Sequence, residues 1–158
     1  MNKPRKENFE IEIREAVSRD IDPIAELEVI CFKDPWSRAA IRDEVERNPL
    51  SIYIVAEDLK KEKAIGYAGL WQVGDEGHIT NVAVAPDYRR NGIGDKVVSK
   101  LLMTARSRGI KAFTLEVRVS NKGAQELYKR HGFENAGIRP GYYVDKEDAM
   151  IMWLYDKE

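Results

Sequence analysis

HITNVAVAPDYRRNGIGDKVVSKLLMTARSRGIKAFTLEVRV, residues 78–119, is the stretch that decides how this chain folds. HITNVAVA reads as a strand that ends at Pro86. PDYRRNGIG, residues 86–94, is a polar turn built from Pro, Asp, Asn and Gly. Val97, Val98, Leu101, Leu102 and Ala105 then recur at helical spacing, and Gly109 suits the C-terminal cap. KAFTLEVRV alternates, with Phe113, Leu115, Val117 and Val119 on one side, and is a second strand. A helix separates the two strands, so they are expected to be parallel neighbours, because a short turn joins only antiparallel strands.

The segments on either side add antiparallel pairs. EIEIREAV places Ile11 and Ile13 on one face of a strand, and Ser18 or Asp20 can cap the helix whose apolar stripe is IAELEVICF. Pro35 in KDPWS breaks that helix, and Ser37 caps a shorter one, SRAAIRDEVERN, with Ile41 and Val45 four residues apart. LSIYIVAE and AIGYAGLWQV flank the charged DLKKEK as a hairpin, and GDEG is a further turn. Asn121 to His131 is helical, with Leu127 packing inward and Gly132 as the stop. FENAGI and DAMIMWLY are strands around the turn RPGYYVDKE. The expected fold is α/β: a mixed, mostly antiparallel sheet of about seven strands with helices on both faces. Residues 9–158 are expected to form a single domain behind a flexible N-terminus, residues 1–8.

Composition narrows the function classes. With 26 basic and 27 acidic residues the net charge is −1, so no global basic field calls for nucleic acid. Cys31 stands alone and there are two histidines, which argues against a disulfide or a zinc site, and no metal is expected. Cys31 lies on an apolar helix face without an evident His–Asp partner, so it reads as core rather than nucleophile. MNKPRKENFEIE has no apolar centre, and no apolar run approaches the ~20 residues of a membrane span. Cytoplasm is the default location. The oligomeric state stays open.

Two readings of PDYRRNGIG compete. It is an ordinary turn, or it is an anion cradle. The first N–H groups of a helix lack internal partners and carry partial positive charge. Glycine lets an anion reach the backbone, and Arg89 and Arg90 add charge-assisted bonds. The nucleotide loop GxxxxGK[ST] is absent, and Val97 stands where a dinucleotide fingerprint needs a third glycine after Gly92 and Gly94. The pattern present is R-x-x-G-x-G, Arg89 to Gly94.

That pattern resembles the acyl-CoA pyrophosphate signature of the GNAT N-acetyltransferases. NVAVAPDYRRNGIG, FTLEVRVSNKGAQELYKRHGF, IRPGYYVDKEDAMIMWL and CFKDPWS together resemble the RimI-type N-terminal protein acetyltransferases, over nearly the whole chain after residue 8. Those enzymes acetylate the N-terminal alanine of a ribosomal protein. The resemblance implies a splayed parallel strand pair, with acetyl-CoA as co-substrate along Val82, Ala83 and Val84. It implies a pyrophosphate held by Arg90, Asn91, Gly92, Ile93, Gly94 and Asp95, and a further CoA contact at Asn121. Asp95 departs from the family, where a basic or neutral residue is common. It would repel a diphosphate unless it points away or caps the helix.

The same resemblance makes Glu116 the proton acceptor and Tyr128 the proton donor. On residues alone, Glu116 reads as a solvated glutamate on an amphipathic strand, and Tyr128 is equally a packed ring or a proton donor. The chemistry is consistent: a carboxylate can take a proton from an amine, and a phenol of pKa about 10 keeps its own until a thiolate leaves. His78 resembles a histidine that assists through water in archaeal relatives, and is otherwise a strand-end histidine. Pro35, Trp36, Tyr142 and Tyr143 match loops that shape the peptide entry in relatives, or else close the core as aromatics. The expected partners are acetyl-CoA and a protein N-terminus. Other acceptors for the same co-substrate are lysine or a small amine, and a non-catalytic acyl-CoA-binding module is the remaining alternative.

Overall fold

The computed structural model describes residues 9–156, so the expected flexible segment 1–8 lies outside the described residues. The strands are β1 (Ile11–Glu15), β2 (Ser51–Asp58), β3 (Lys63–Val73), β4 (Glu76–Val84), β5 (Ala112–Arg118), β6 (Glu134–Arg139) and β7 (Ala149–Tyr155). The helices are α1 (Ile21–Cys31), α2 (Arg38–Arg42), α3 (Ile93–Ser107) and α4 (Lys122–Arg130). One sheet contains all seven strands in the order β1-β2-β3-β4-β5-β7-β6. Only β4 and β5 run parallel. This is the fold class read from the sequence.

Strand alternation divides the interior into two cores. Ile52, Ile54 and Ala56 of β2 face one cluster with Val97, Val98, Leu101, Leu102 and Ala105 of α3 and Tyr128 of α4. Tyr53 and Val55 face the other, with Ile21, Ile24 and Leu27 of α1 and Ile41 of α2. Val97, Val98 and Leu101 are fully buried, and each such side chain stabilises by about 1.5–3 kcal/mol relative to exposure. Gly109 takes φ +87 just past α3 and Gly132 takes φ +96 just past α4, the left-handed stops expected of them.

Some local expectations are corrected. Neither Ser18 nor Asp20 caps α1 with its side chain. Asp20 instead accepts from the Val17 N–H at 2.8 Å and from two nitrogens of Arg14 at 2.7 and 2.9 Å, because a guanidinium outcompetes a helix-end amide for a buried carboxylate. Within IAELEVICF, Val29 and Ile30 are exposed while Glu28 is buried, so hydropathy misplaces the stripe's edge. Ser37 caps α2 as expected, accepting from Ala40 N–H at 3.1 Å, but the helix widens into a π turn over Asp43–Arg47. On α4, Leu127 packs inward against the core as expected and is half-buried, while Gln125 and Tyr128 are the buried residues.

Two departures from a regular ladder position the site. The parallel pairing of β4 with β5 covers only Glu76–Ala112, Gly77–Phe113 and His78–Thr114, after which the strands part. Against β3, Asn81 pairs with Gly69 and Ile79 with Leu70, so Thr80 is an extra residue in β4. Thr80 Oγ1 donates to the Gly69 carbonyl at 3.2 Å and pins the bulge. Gly69 has no alternative here: a Cβ would sit 2.7 Å from the Tyr53 ring.

Candidate active site

Where β4 and β5 part, a cleft of about 520 Å³ opens, lined by the α1–α2 loop from one face of the sheet and by Ala124 and Tyr128 of α4 from the other. Its walls bring together eight of the residues singled out from sequence: Trp36, His78, Val82, Glu116, Asn121, Tyr128, Tyr142 and Tyr143. Pro35 shares the α1–α2 loop but is not on the wall, and neither are Ala83, Val84 or the 89–95 loop. That loop begins past the end of β4 and leads into α3.

Glu116 sits mid-strand on β5, opposite in sense to the core-facing Leu115 and Val117. Its Oε2 lies 2.6 Å from Nε2 of His78, whose register partner is Thr114, two residues before Glu116 and the last pair before the strands separate. The hydrogen bond from His78 holds the Glu116 carboxyl below the ordinary glutamate range, against partial burial. Glu116 is therefore ionised at neutral pH. Tyr128 reaches the cleft from α4 and packs its ring edge-on against Phe133 at 5.8 Å. Burial pushes its phenol pKa up, so it stays protonated. Its hydroxyl makes no hydrogen bond among the described residues. The carboxylate can accept a proton and the phenol can give one.

The loop after β4 is held from below. Tyr88 is buried and donates to Asp58 at 2.6 Å, and Asn91 Nδ2 donates to the carbonyls of Tyr88 and Arg89, each at 3.0 Å. Arg90 and Gly92 both take left-handed backbone, φ +65 and +73, a feature of turns whose amides converge on anions. Gly92 immediately precedes α3 as its N-cap, and the first helical bond runs from Lys96 N–H to the Gly92 carbonyl, so the N–H groups of Ile93, Gly94 and Asp95 have no acceptor within the helix. A Cβ on Gly92 would meet nothing within 4 Å, which leaves that backbone open to a ligand. The side chain of Asp95 points away, accepting from Arg130 at 3.1 and 3.2 Å and lying 3.2 Å from His131 Nε2. Its charge is thus compensated and its pKa lowered, Arg130 being the main cause. These residues fit a diphosphate. Arg89 folds back, with Nε donating to the Val84 carbonyl at 3.0 Å. Ala85 N–H donates to Ile65 at 2.8 Å, so by alternation the backbone groups of Val82 and Val84 face the gap. Arg89 thereby occupies one of them. Asn121 Oδ1 caps α4, accepting from Ala124 N–H at 3.1 Å.

The opposite end of the cleft is built from distant segments. Arg118 of β5 bonds Asp145 at 2.9 and 3.0 Å and Glu147 at 2.9 Å, and its guanidinium lies 4.0 Å from the Tyr143 ring centre. Lys33 of the α1–α2 loop reaches Asp145 at 3.1 Å and ties that loop to the β6–β7 loop. Trp36 lies 5.6 Å from Trp71, whose indole N–H donates to Glu44. Glu28 is wholly buried on α1 and accepts from Tyr67 OH, from the Trp36 N–H at 2.9 Å and from Asn81 Nδ2 at 3.1 and 3.2 Å. Burial pushes its pKa up. Sequence reasoning missed Glu28, Asn81, Lys33 and Trp71. For Glu28 a signal existed: with Ile21, Ile24 and Cys31 it falls on one helical stripe, and a charged residue there is an anomaly. Among the described residues no three His, Cys, Asp or Glu side chains group as metal ligands, and no helix is long and apolar enough to cross a membrane.

The splayed pair, the exposed amides of the following turn and the carboxylate in the gap define an acyltransferase class. The chain belongs to the acetyltransferase (GNAT) family, whose model matches residues 21–133, from the start of α1 to the turn after α4. It is 38% identical over 143 residues to a Bacillus subtilis protein named as a candidate ribosomal protein bS18-alanine N-acetyltransferase, covering 90% of this chain and 93% of that one. The Haemophilus ducreyi ribosomal protein bS18-alanine N-acetyltransferase is 31% identical, covering 90% of this chain and 99% of that protein. Among solved structures, the ribosomal-protein-S18-alanine N-acetyltransferase of Escherichia coli superposes with a TM-score of 0.82 at 30% identity, over 94% of this chain and 95% of that one.

Proposed function

We propose that this chain transfers acetyl from acetyl-CoA to the α-amino group of a protein N-terminus, with the N-terminal alanine of a ribosomal protein as acceptor. The observation that carries the reading is Glu116, an ionised carboxylate in the gap between β4 and β5, with Val82 and Tyr128 on the same walls. The similarity to named bS18-alanine N-acetyltransferases supports the acceptor class. Residues 9–158 act as one catalytic domain, working in the cytoplasm, where such an acceptor is made.

Acetyl-CoA supplies an activated thioester. Val82, Ala83 and Val84 line its pantetheine arm, with the gap-facing backbone of Val82 and the Val84 N–H as strand-like partners. Arg90, Asn91 and the amides of Gly92, Ile93, Gly94 and Asp95 hold its pyrophosphate, Arg89 joins them on releasing the Val84 carbonyl, and Asn121 adds a contact. Trp36, Tyr142 and Tyr143, with Pro35 behind them, admit the acceptor. Glu116 takes the amine proton directly or through a water, with His78 holding the carboxylate in place. The nitrogen lone pair forms the new C–N bond as the C–S bond breaks. Tyr128 gives its proton to the leaving sulfur. An α-amine has a pKa of about 7.7–8.0 against about 10.4 for lysine, so a carboxylate of lowered basicity suits the α-amine.

The test offers acetyl-CoA and peptides that differ in their first residue and carry an internal lysine. Mass spectrometry should place the acetyl group on the α-amine, with alanine preferred. Acetyl on lysine, or on no peptide, overturns the reading.

A further inference from the structure

We propose that Asn81 binds the incoming amine through its side-chain oxygen, and that the buried Glu28 is the positioning residue that aims it. The inference rests on the acceptor reading above. Glu28 is 0% exposed and has no cationic partner. Three donors converge on it instead: the Tyr67 hydroxyl, the Trp36 N–H and the Asn81 carboxamide. Glu28 Oε1 accepts from the Trp36 N–H, and Asn81 Nδ2 lies 3.2 Å from that same oxygen, so this side of the carboxyl must act as an acceptor in either protonation state. That requirement fixes Asn81, whose NH₂ must face Glu28 and whose Oδ1 must face elsewhere.

Where Oδ1 goes follows from the fold. Thr80 is the extra residue of the β4 bulge, and Asn81 is the next residue, so the bulge sets the direction of its side chain. Asn81 lines the cleft with His78, Val82 and Glu116. Its Oδ1 has no hydrogen-bond partner among the described residues, yet no buried side-chain polar atom there is unsatisfied. The oxygen is therefore open to the cleft. A neutral acceptor lone pair on β4, in the cleft that also holds Glu116 of β5, suits a primary amine, which keeps a spare N–H to donate after losing a proton. Glu28 also holds the backbone of Trp36, so one carboxylate registers the acceptor loop against β4. No other direct side-chain link joins α1 to the bulge among the described residues.

The experiment uses the full chain, acetyl-CoA and a peptide beginning with alanine. Asn81→Ala should raise the peptide KM about tenfold with kcat, CoA affinity and Tm near wild type, the signature of lost uniform binding. Glu28→Gln places an NH₂ against Asn81, reverses its carboxamide and should raise the same KM alone. Adding Asn81→Asp to Glu28→Gln restores an acceptor oxygen on both sides and should bring the KM back. The inference is overturned if Asn81→Ala leaves KM unchanged, or if Glu28→Gln lowers CoA affinity in proportion. Failure of the Asp pairing to rescue overturns it too. A wild-type chain that acetylates no peptide sinks the acceptor reading and this inference together. A wild-type chain that does, alongside an indistinguishable Asn81→Ala, sinks only the inference.

Discussion

The cleft and the loop beyond β4 are the two ends of the candidate site, and they are made of different material. The end beyond β4 is backbone: a left-handed turn at Arg90 and Gly92 and the bare amides that open α3, all within a dozen residues. The other end is side chain, assembled from the α1–α2 loop, β3, β5 and the β6–β7 loop. Its ties span long separations, 112 residues for Lys33 to Asp145. Backbone presents the same groups whatever the residue, so such a site recognises a constant ligand. Side-chain walls can be exchanged one at a time, so they suit a ligand that differs between relatives.

If this division is right, substitutions should separate by end. The largest effect is expected at the junction, where Glu116→Gln should lower kcat by about 10²–10⁴ while calorimetry finds acetyl-CoA affinity unchanged. A parallel fall in affinity would mean that Glu116 shapes the co-substrate end instead. Next comes Gly92→Val, which finds free space but must adopt φ +73, costing about 1–2 kcal/mol. It should weaken CoA binding about tenfold and leave the peptide KM alone. Equal affinity would remove the loop from the site. The smallest effect lies at the side-chain end. The backbone N–H of Glu147, aided by Arg118 and Lys33, holds Asp145 down to about 2 against its ordinary 3.8. A carboxyl with a lowered folded pKa lends its support above the unfolded value and loses it as pH falls through the folded one. The Glu147 amide shift in NMR should therefore titrate with a midpoint near 2. A midpoint near 3.8 would show that the loop tie is not formed in solution.

The same division explains what could be read from sequence. β4, the turn, α3 and β5 are contiguous, and each depends on local rules: β-branched runs, turn formers, a helical repeat and a glycine stop. The fold and the loop were legible for that reason, as was the alternation that puts Glu116 opposite Leu115. The cap on α1 was not, because Asp20 is claimed by Arg14, which also binds Glu57 from β2. Nor was the charge state around Asp95, which depends on Arg130 of α4, 35 residues away. Glu28 shows the general difficulty. Hydropathy hides it beside Val29 and Ile30, which are exposed; helical spacing marks Glu28 as the odd member of the Ile21, Ile24 and Cys31 stripe, and the packing of α1 on β3 and β4 shows that it faces inward.

The short contact between β4 and β5 has a mechanical consequence. Three register pairs are a thin seam for a seven-stranded sheet, and backbone bonding alone would leave two halves hinged at His78. What joins them is the cluster under α3, which holds Ile54 and Leu70 from one half and Leu115 and Met152 from the other. On the α3 face the halves are joined by apolar packing, while on the other face the Lys33–Asp145 and His78–Glu116 contacts bridge the gap. The molecule can leave strand edges free at its centre because one apolar cluster spans both halves.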